Sequence, residues 1–462
     1  MRRVAAIAAA KAAAALSRRL KVGGGTALPG LLAERIDPAI VAEMARGLRQ
    51  GSVIVTGTNG KTTSTRLLRG IVREAGMRVV ANRAGSNLMR GIAAAMAEAA
   101  GLDGGFAGAA RCLGVFEVDE ATVPEAARAL RPRLLLFTNL FRDQLDRYGE
   151  VEHVAALWRD AVRGLDASTA IVLNADDPSI AALAEAAPGE VLFYGVEDTS
   201  RGRERLEHAA DARWCSACGA ELAYATVFYG HLGHWRCPQC DRSRPDAGVV
   251  ASSVGLSGEG SDLTIAAPDG EVRARLPLTG LYNAYNALAA VAAAVALGVE
   301  PAAIERGLAS FTAGFGRQER LIVGGRRVQV ILAKNPAGLN EVLRTITADG
   351  TKKNVAVFLN DDIADGRDVS WIWDVDFDLL AGQVRTLTVS GTRAWDMALR
   401  LKYAGLDSLP GVEEDTAAAL RRAIRATPEG GDLIVIPTYT AMLQVRGLLA
   451  RWGRRPAFWE EA

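Results

Sequence analysis

One short segment, GTNGKTT at residues 57–63, constrains the fold of this 462-residue chain more than any other feature. It follows an apolar run, Ser52–Thr56, that predicts a buried strand, and helical sequence begins at Thr62. Backbone N–H groups of such a turn, with the N-terminus of the next helix, bind phosphate. The pattern G-x-x-x-x-G-K-[ST] is not strictly met, because Val55 stands at its first glycine position. The strand–turn–helix context still predicts a phosphate site.

We call residues 57–63 the phosphate loop. Its Lys61 would neutralise the β- and γ-phosphates of a nucleotide, and the Thr62 hydroxyl would bind Mg²⁺. Lysine is scarce in this chain, and Lys61 is the only one between residues 22 and 333. An ordinary glycine-rich turn is the alternative. The predicted ATP-binding residues of the loop are Gly57, Thr58, Asn59, Gly60, Lys61, Thr62 and Thr63.

Strands and helices alternate along the chain beyond the phosphate loop. Further strands are predicted at Leu113–Val118, Leu134–Phe137 and Ala170–Leu173, each separated by alanine-rich helical sequence. This alternation favours an α/β fold with a parallel sheet covered by helices on both faces. A second α/β unit follows an alanine-rich helix after Gly280. Its predicted strands lie near residues 328–333, 354–359, 385–389 and 433–437.

Four cysteines lie in an inserted module at about 201–246, where the strand–helix rhythm stops. Their spacing is CxxC-x18-CxxC, which suits two knuckles around a tetrahedral, structural Zn²⁺. A pair of disulfides is the alternative, disfavoured in a chain without a secretory signal. The predicted zinc ligands are Cys215, Cys218, Cys237 and Cys240. His231 and His234 are expected beside this site or at the surface, and Cys112 is expected as a buried thiol.

Charge and hydropathy exclude two classes of protein. Lys plus Arg number 54 and Asp plus Glu 53, so the basic surplus of a general nucleic-acid binder is missing. The longest apolar stretch, Ala287–Val299, falls short of the roughly 20 residues that span a bilayer. The N-terminus predicts a basic, alanine-rich helix rather than a signal peptide, since Lys11 interrupts its apolar run. We expect a cytoplasmic protein, whose N-terminal helix is either solvated or in contact with anionic lipid.

The phosphate loop resembles that of the Mur ligases and the related folylpolyglutamate synthases, and further motifs follow in the same order. Glu117 closes a predicted strand where that superfamily places a Mg²⁺-binding glutamate. Residues 139–148, NLFRDQLDRY, resemble N-x-x-x-D-H-x-D-R-Y, and residues 174–178, NADDP, follow the next strand. Asn283 stands where the superfamily's adenine-contacting Asn does, and Arg317 where an Arg meets phosphate. The resemblance implies ATP, Mg²⁺ and conversion of a carboxylate into an acyl phosphate that an amine attacks.

Three departures from the Mur pattern narrow the function. Gln144 replaces the histidine that precedes D-R-Y, and the stretch after it holds no lysine for the carbamoylation that many Mur ligases use. About 50 residues precede the phosphate loop, too few for the separate domain that holds a UDP-linked precursor. We therefore expect a substrate whose carrier is not UDP.

Two unusual runs in the second unit point to one branch of the superfamily. Ile331–Glu341 (ILAKNPAGLNE) and Leu359–Asp378 resemble the MurT family, the Mur-ligase-like subunits of lipid II isoglutaminyl synthase. The resemblance implies amidation of the D-Glu α-carboxylate in lipid II, with ammonia from a class I glutaminase, GatD, in a heterodimer. It also implies that Asp368 completes the partner's catalytic triad, with Asp365 as second choice. Lys334 is expected to reach the transferring phosphate when the domains close.

The predicted architecture is accordingly an α/β, Mur-ligase-type protein. Residues 1–45 form an N-terminal helical segment, residues 46–319 a central P-loop ATPase domain with an inserted four-cysteine zinc ribbon, and residues 320–462 a Rossmann-like domain. Two rival functions stay open at this point. One is a self-contained amino-acid ligase of the Mur or folylpolyglutamate type, and the other is a non-enzymatic zinc-ribbon binding module.

Overall fold

The computed structural model describes residues 2–20, 27–83, 85–143, 150–207, 210–312, 317–406 and 411–453. The strands within these residues are β1 Ser52–Thr56, β2 Arg78–Val80, β3 Cys112–Glu117, β4 Leu134–Phe137, β5 Ala170–Asn174, β6 Val191–Val196, β7 Ala223–Tyr229, β8 Leu232–Arg236, β9 Val249–Leu256, β10 Ser261–Ala267, β11 Gly270–Leu276, β12 Arg317–Val323, β13 Arg326–Ile331, β14 Lys353–Phe358, β15 Val384–Ser390, β16 Gly411–Val412 and β17 Asp432–Pro437. The α-helices span Arg2–Leu20, Ala27–Ile36, Ile40–Ala45, Lys61–Glu74, Met89–Ala99, Val123–Leu130, Val151–Arg163, Pro178–Ala181, Leu281–Ala296, Pro301–Ala309, Pro336–Thr347, Ala394–Tyr403, Thr416–Ala426 and Tyr439–Gly453.

A nine-stranded sheet forms the centre of the molecule, in the order β11-β10-β9-β6-β5-β4-β1-β3-β2. The neighbouring strands of the part β9-β6-β5-β4-β1-β3-β2 pair in parallel, and β10 and β11 extend the sheet as antiparallel strands. β1, the strand before the phosphate loop, lies between β3 and β4. The carboxyl ends of these parallel strands therefore meet at the phosphate loop. The predicted α/β fold is confirmed.

Helices cover both faces of this sheet, and β1 shows why. Its residues are all buried, with Val53 and Val55 in one hydrophobic cluster and Ile54 in the other. Successive side chains of a strand point to opposite faces, so an unbroken apolar run fits a sheet that is buried on both sides. The helix Leu281–Ala296 packs in the first of these clusters. Its alanines allow close approach to the sheet.

The N-terminal helix packs against the protein along one face. Ala6, Ile7 and Ala10 are buried, and they belong to the same cluster as Ile54. The second helix, Ala27–Ile36, packs closely on the helix Met89–Ala99. A Cβ at Gly30 would lie 1.7 Å from the backbone oxygen of Arg90. This face of the first helix is therefore buried, and the expectation of a solvated helix or a lipid contact concerns its other side. None of the helices in the described ranges is long and apolar enough to cross a membrane.

Residues from β12 onward form a second, six-stranded sheet, in the order β12-β13-β17-β14-β15-β16. We call this part the C-terminal domain. β12 and β13 form an antiparallel hairpin, and the other pairs are parallel. Its helices lie on both faces, as the two clusters around β14 and β17 show. In the inserted module, β7 and β8 form a separate antiparallel pair.

Candidate active site

The phosphate loop has a backbone that only glycine accommodates at two positions. Gly57 has a φ of 133° and Gly60 a φ of 90°. A Cβ at Gly57 would lie 2.0 Å from Thr138 Oγ1, and one at Gly60 would lie 2.0 Å from Asn286 Oδ1. Both the positive φ and the close neighbours exclude larger residues. The loop thus lies tightly between the end of β4 and the helix Leu281–Ala296.

Polar side chains after β4 fix the phosphate loop in place. The Asn59 N–H donates to Asn139 Oδ1 at 2.8 Å, and Asn139 Nδ2 donates to the Asn59 carbonyl at 3.1 Å. The Thr138 hydroxyl donates to the same carbonyl at 2.8 Å. Asn139 is the first residue of the NLFRDQLDRY motif. Its observed contacts are with the loop, which it holds in one conformation before any nucleotide binds.

Lys61 is buried and surrounded by oxygen atoms. Its Nζ lies 2.9 Å from Glu120 Oε1 and donates to the carbonyls of Gly57 and Thr58 at 2.5 and 3.2 Å. Burial opposes its charged form, but the carboxylates of Glu120 and Asp119 outweigh that effect and raise the pKa of Lys61. Lys61 therefore carries a fixed positive charge at the phosphate loop.

Glu117, the predicted Mg²⁺ ligand, lies at the carboxyl end of the strand next to β1. It is buried at the end of β3 and stands beside Val55 in the register of β1. Asn82 accepts from the Glu117 N–H at 3.0 Å and donates to its carbonyl at 2.8 Å, which fixes the backbone. Thr62 is buried in the first turn of the helix after the loop. A carboxylate and a hydroxyl are oxygen donors of the kind that Mg²⁺ prefers.

The C-terminal domain contacts the phosphate loop through its first motif. Lys334 Nζ pairs with Asp143 Oδ2, and Asn335 Nδ2 donates to Asn59 Oδ1 at 2.9 Å. The Asn335 side chain also caps the helix Pro336–Thr347 by accepting from the Gly338 N–H at 2.9 Å. The structure therefore brings Lys334 to the same cleft as the loop, where the charges of both domains meet.

The structure describes some of the other predicted site residues, whereas the rest lie outside the described part of the chain. Asn283 is buried and donates to the Thr279 carbonyl at 2.9 Å, while Asn286 donates to its Oδ1 at 3.1 Å. Gln144, with the D-R-Y residues that follow it, and Gly316 lie outside the described residues. Arg317 begins β12, but its side chain is also outside the described part. Their roles remain predictions.

Sequence reasoning missed several polar residues of this cleft. Glu120, Asn82, Asp143 and Asn335 all contact residues that it had singled out. Three of the four stand in or near segments that the sequence analysis singled out: Glu120 follows Glu117 by three residues, Asp143 lies in NLFRDQLDRY, and Asn335 lies in ILAKNPAGLNE. Their position in these motifs was the available signal. Asn82 follows the short strand β2 with no motif to mark it.

The four cysteines of the inserted module converge. Their sulfur atoms all lie within 4.8 Å of one another, and none is in a disulfide. Four thiols at this spacing fit a tetrahedral Zn²⁺. Cys112 is buried in the core, as expected. His231 is also buried, 3.3 Å from Asp177 and in contact with the ring of Phe141, so a surface position was wrong for it.

Loss of one cysteine should remove the metal. We expect about one zinc per chain by elemental analysis, and much less in Cys218→Ser, with a lower melting temperature. The chemistry of the fraction that stays folded should change little, because a closed tetrathiolate site offers no open position. Cys112→Ser, which leaves the cluster intact, is the control for zinc content. A metal-free wild-type chain would contradict the assignment.

Charged residues also join the inserted module to the C-terminal domain. Arg344 Nη1 pairs with Glu207 and lies 3.2 Å from Glu341, and Arg203 lies 3.3 Å from the same Glu341 oxygen. Burial and the neighbouring Glu207 raise the pKa of Glu341 to about 7, against the two arginines, which lower it. The module thus contacts the C-terminal domain through two buried carboxylates that share two arginines.

The two aspartates proposed for a partner's triad lie in different environments. Asp365 is buried and accepts from the Thr440 N–H at 2.8 Å, so it anchors its loop to the C-terminal helix. Asp368 is exposed and accepts from the N–H and hydroxyl of Ser370 at 2.8 and 3.0 Å. Of the two, only Asp368 presents its carboxylate at the surface.

Comparisons with known proteins agree with this geometry. The family described as Mur ligase middle domain matches residues 55–231, and the family described as MurT ligase C-terminal matches residues 332–442. The MurT subunit of lipid II isoglutaminyl synthase (glutamine-hydrolyzing) from Streptococcus pneumoniae is 34% identical over 93% of each chain. That from Staphylococcus aureus is 32% identical over 96% of each chain.

Solved structures show the same fold. MurF from Acinetobacter baumannii superposes with a TM-score of 0.66 at 18% identity, covering 92% of this chain and 80% of that one. Folylpolyglutamate synthase from Mycobacterium tuberculosis does so with a TM-score of 0.61 at 16% identity, covering 89% and 95%. These structures show the fold alone, which is that of the Mur ligases. The relatives at 32–34% identity, with the Mur ligase middle domain match, define the class as ATP-dependent ligases. Within that class, the chain belongs to the MurT family, the ligase subunits of lipid II isoglutaminyl synthase.

Proposed function

We propose that this chain amidates the α-carboxylate of D-Glu in the stem peptide of lipid II, giving D-isoglutamine. The observation that carries the proposal is the placement of the ILAKNPAGLNE motif at the phosphate loop: Asn335 donates to Asn59 of the loop, and Lys334 pairs with Asp143 beside it. This motif falls in the part of the chain that matches the MurT C-terminal family. Residues that distinguish this family from other Mur-type ligases therefore lie beside the phosphate loop, which supports the proposal.

The chain's own residues supply position and charge. The phosphate loop holds the nucleotide phosphates through backbone N–H groups, and Lys61 and Lys334 neutralise them from the two domains. Thr62 and Glu117 would hold Mg²⁺, which adds positive charge at the phosphate oxygens. Asn283 and Arg317 are proposed to contact the adenine and a phosphate. Phosphoryl transfer needs little beyond such positioning and charge.

The reaction has two displacements. A carboxylate oxygen of D-Glu attacks the γ-phosphorus, and ADP leaves, giving an acyl phosphate. Ammonia then attacks the acyl carbon, phosphate leaves, and the nitrogen loses a proton to give the amide. Hydrolysis of glutamine to release ammonia needs an activated cysteine. Here Cys112 is buried and the other cysteines are clustered, so we propose that the ammonia comes from another chain.

That chain is proposed to be a class I glutaminase of the GatD type, in a heterodimer. The relatives are named as subunits of a glutamine-hydrolysing enzyme, which supports a partner of this kind. The exposed Asp368 is proposed to hydrogen-bond the partner's catalytic histidine and hold it for catalysis. A lipid-linked substrate would place the complex in the cytoplasm, at the inner face of the membrane.

Copurification and turnover test the proposal together. The chain, coexpressed with a class I glutaminase, should copurify with it and convert lipid II to the amide with glutamine and ATP. The chain alone should form the same amide from free ammonia. A chain that instead adds an amino acid to a peptide or folate precursor would be a self-contained ligase. If the chain forms no product from ATP with any of these substrates, the result would favour a zinc-ribbon binding module.

A further inference from the structure

A cavity of about 400 Å³ lies outside the cleft described above. It is enclosed by the N-terminal helices, the helix Lys61–Glu74 after the phosphate loop and the helix Met89–Ala99. Alanines and Gly91 form much of its wall, so the space is not filled by side chains. Its charged lining residues are Lys11, Arg69, Arg83 and Glu98.

The charges of this cavity do not balance. Lys11 donates to the Glu98 carbonyl at 3.2 Å, and Arg83 lies 3.3 Å from the Glu98 carboxylate. Within the described residues, no carboxylate pairs with Arg69, and its buried Nε has no hydrogen-bond partner. Burial, with Arg73 and Arg66 nearby, lowers the pKa of Arg69 to about 10. A guanidinium nevertheless stays protonated in proteins, so Arg69 is a cation without a counter-ion.

The walls of the cavity are fixed to the protein. Gly30 packs its helix directly on the backbone of Arg90, where a side chain could not fit. The Arg3 side chain donates to the Asp103 carbonyl at 3.1 Å, which ties the first helix to the loop after Met89–Ala99. The cavity is therefore a built feature of the fold, and its cations are held around a common space.

The cavity also adjoins the reaction centre. Ala81 and Arg83 line it, and Asn82 between them makes the two hydrogen bonds to the backbone of Glu117. Successive residues of an extended segment point in opposite directions. The same short segment thus has one side toward the cavity and the other toward the predicted Mg²⁺ ligand.

We propose that this cavity binds a diphosphate group, namely that of the lipid-linked substrate. Three cations against one carboxylate leave a positive excess that suits a compact polyanion, and guanidinium groups bind phosphate oxygens in pairs. In lipid II the diphosphate joins the sugar that bears the stem peptide to the isoprenoid carrier. The inference rests on the proposed function and assigns its carrier subsite. Binding there would leave the stem peptide free to extend past Asn82 to Glu117.

Calorimetry with inorganic diphosphate tests the site directly. The full chain is first saturated with a non-hydrolysable ATP analogue and Mg²⁺, so that the phosphate loop is occupied. Diphosphate should then bind, and orthophosphate more weakly. Arg69→Gln should weaken diphosphate binding about tenfold or more, as expected for loss of a charged hydrogen bond, and Arg69→Lys should lose less. Arg163→Gln, an exposed arginine that does not line the cavity, is the control and should bind normally.

Amidation by the assembled complex gives the second readout. With free ammonia as nitrogen donor, Arg69→Gln should raise the KM for lipid II about tenfold and leave kcat and the KM for ATP unchanged. Neutral vesicles containing undecaprenyl diphosphate should retain the wild-type chain but not this variant. Equal retention by phosphatidylglycerol vesicles would mean a general attraction to anionic lipid and would overturn the proposal. Absence of diphosphate binding by the wild-type chain, or an equal loss of binding in Arg163→Gln, would also overturn it.

The two proposals fail in different ways. If the wild-type complex makes no amide but the chain still binds diphosphate through Arg69, the proposed function is wrong and the cavity is a diphosphate site of another reaction. If amidation proceeds and Arg69→Gln leaves the KM for lipid II unchanged, the function stands and the cavity has no part in substrate binding. Melting temperatures of each variant separate loss of binding from loss of fold.

Discussion

Lys61→Ala should abolish ATP-dependent amidation while the chain remains folded. Lys61 is buried, charged and held at the phosphate loop by Glu120, so it supplies a fixed charge where negative charge develops. Removing one such preorganised group typically costs on the order of 10²-fold or more in kcat. The measurement is single-turnover formation of amide from lipid II, ATP and free ammonia. Lys352→Ala, an exposed lysine of the C-terminal domain, should behave as wild type.

The Lys61 substitution also leaves the Glu120 carboxylate buried without its partner, which destabilises proteins. The double variant Lys61→Ala/Glu120→Gln removes that uncompensated charge and should recover the melting temperature. It should not recover turnover, since the charge at the phosphate loop is still missing. Near-normal turnover in either variant would show that residues 57–63 are not the catalytic phosphate site.

Asp368→Asn should separate the two activities of the assembled complex. Its exposed carboxylate is proposed to orient the partner's histidine, and the corresponding change in a serine-protease triad lowers kcat about 10⁴-fold. Glutamine hydrolysis should therefore collapse, while copurification with the glutaminase and amidation from free ammonia persist. Both rates are measured on the same preparation, which removes differences in folding or assembly from the comparison.

Asp378→Asn is the matched control for this experiment, because Asp378 is another exposed aspartate of the same acidic run. It should leave both activities unchanged. Asp365→Asn should instead lower stability, since the buried Asp365 anchors its loop through Thr440. Normal glutamine hydrolysis in Asp368→Asn, or an equal fall in both activities, would show that Asp368 has no role in the partner's triad.

Most of the parallel strands were predictable from sequence, but β2, β6 and the edge strands β9–β11 were not recognised. β1 and β3–β5 are mostly apolar and almost entirely buried, because both faces of that sheet are covered. β9–β11 lie at the edge of the sheet and alternate buried with exposed positions. In β11, Val272, Ala274 and Leu276 are buried between exposed residues. That alternation was present in the sequence, but it breaks the strand–helix rhythm by which the other strands were found.

Some features of the cleft could likewise be predicted from sequence, and others could not. The phosphate loop could be found from sequence because a local backbone shape requires its glycines and lysine. The pair of Lys61 with Glu120 joins residues far apart in the chain, and nothing in either segment alone specifies it. The burial of His231 against Asp177 is likewise a result of how the inserted module packs on the sheet. Such contacts depend on tertiary structure.

The hydrogen bond between Asn335 and Asn59, with the Lys334–Asp143 ion pair, makes the phosphate loop part of the boundary between two domains. A ligand that rearranges the loop must therefore change the free energy that holds the domains together. Thermodynamic linkage makes this effect mutual. If a nucleotide changes the equilibrium between domain arrangements by some factor, the arrangement changes the affinity for the nucleotide by the same factor. A protein bound to the C-terminal domain and a nucleotide bound to the loop would thus alter each other's affinity by one common factor, without any direct contact.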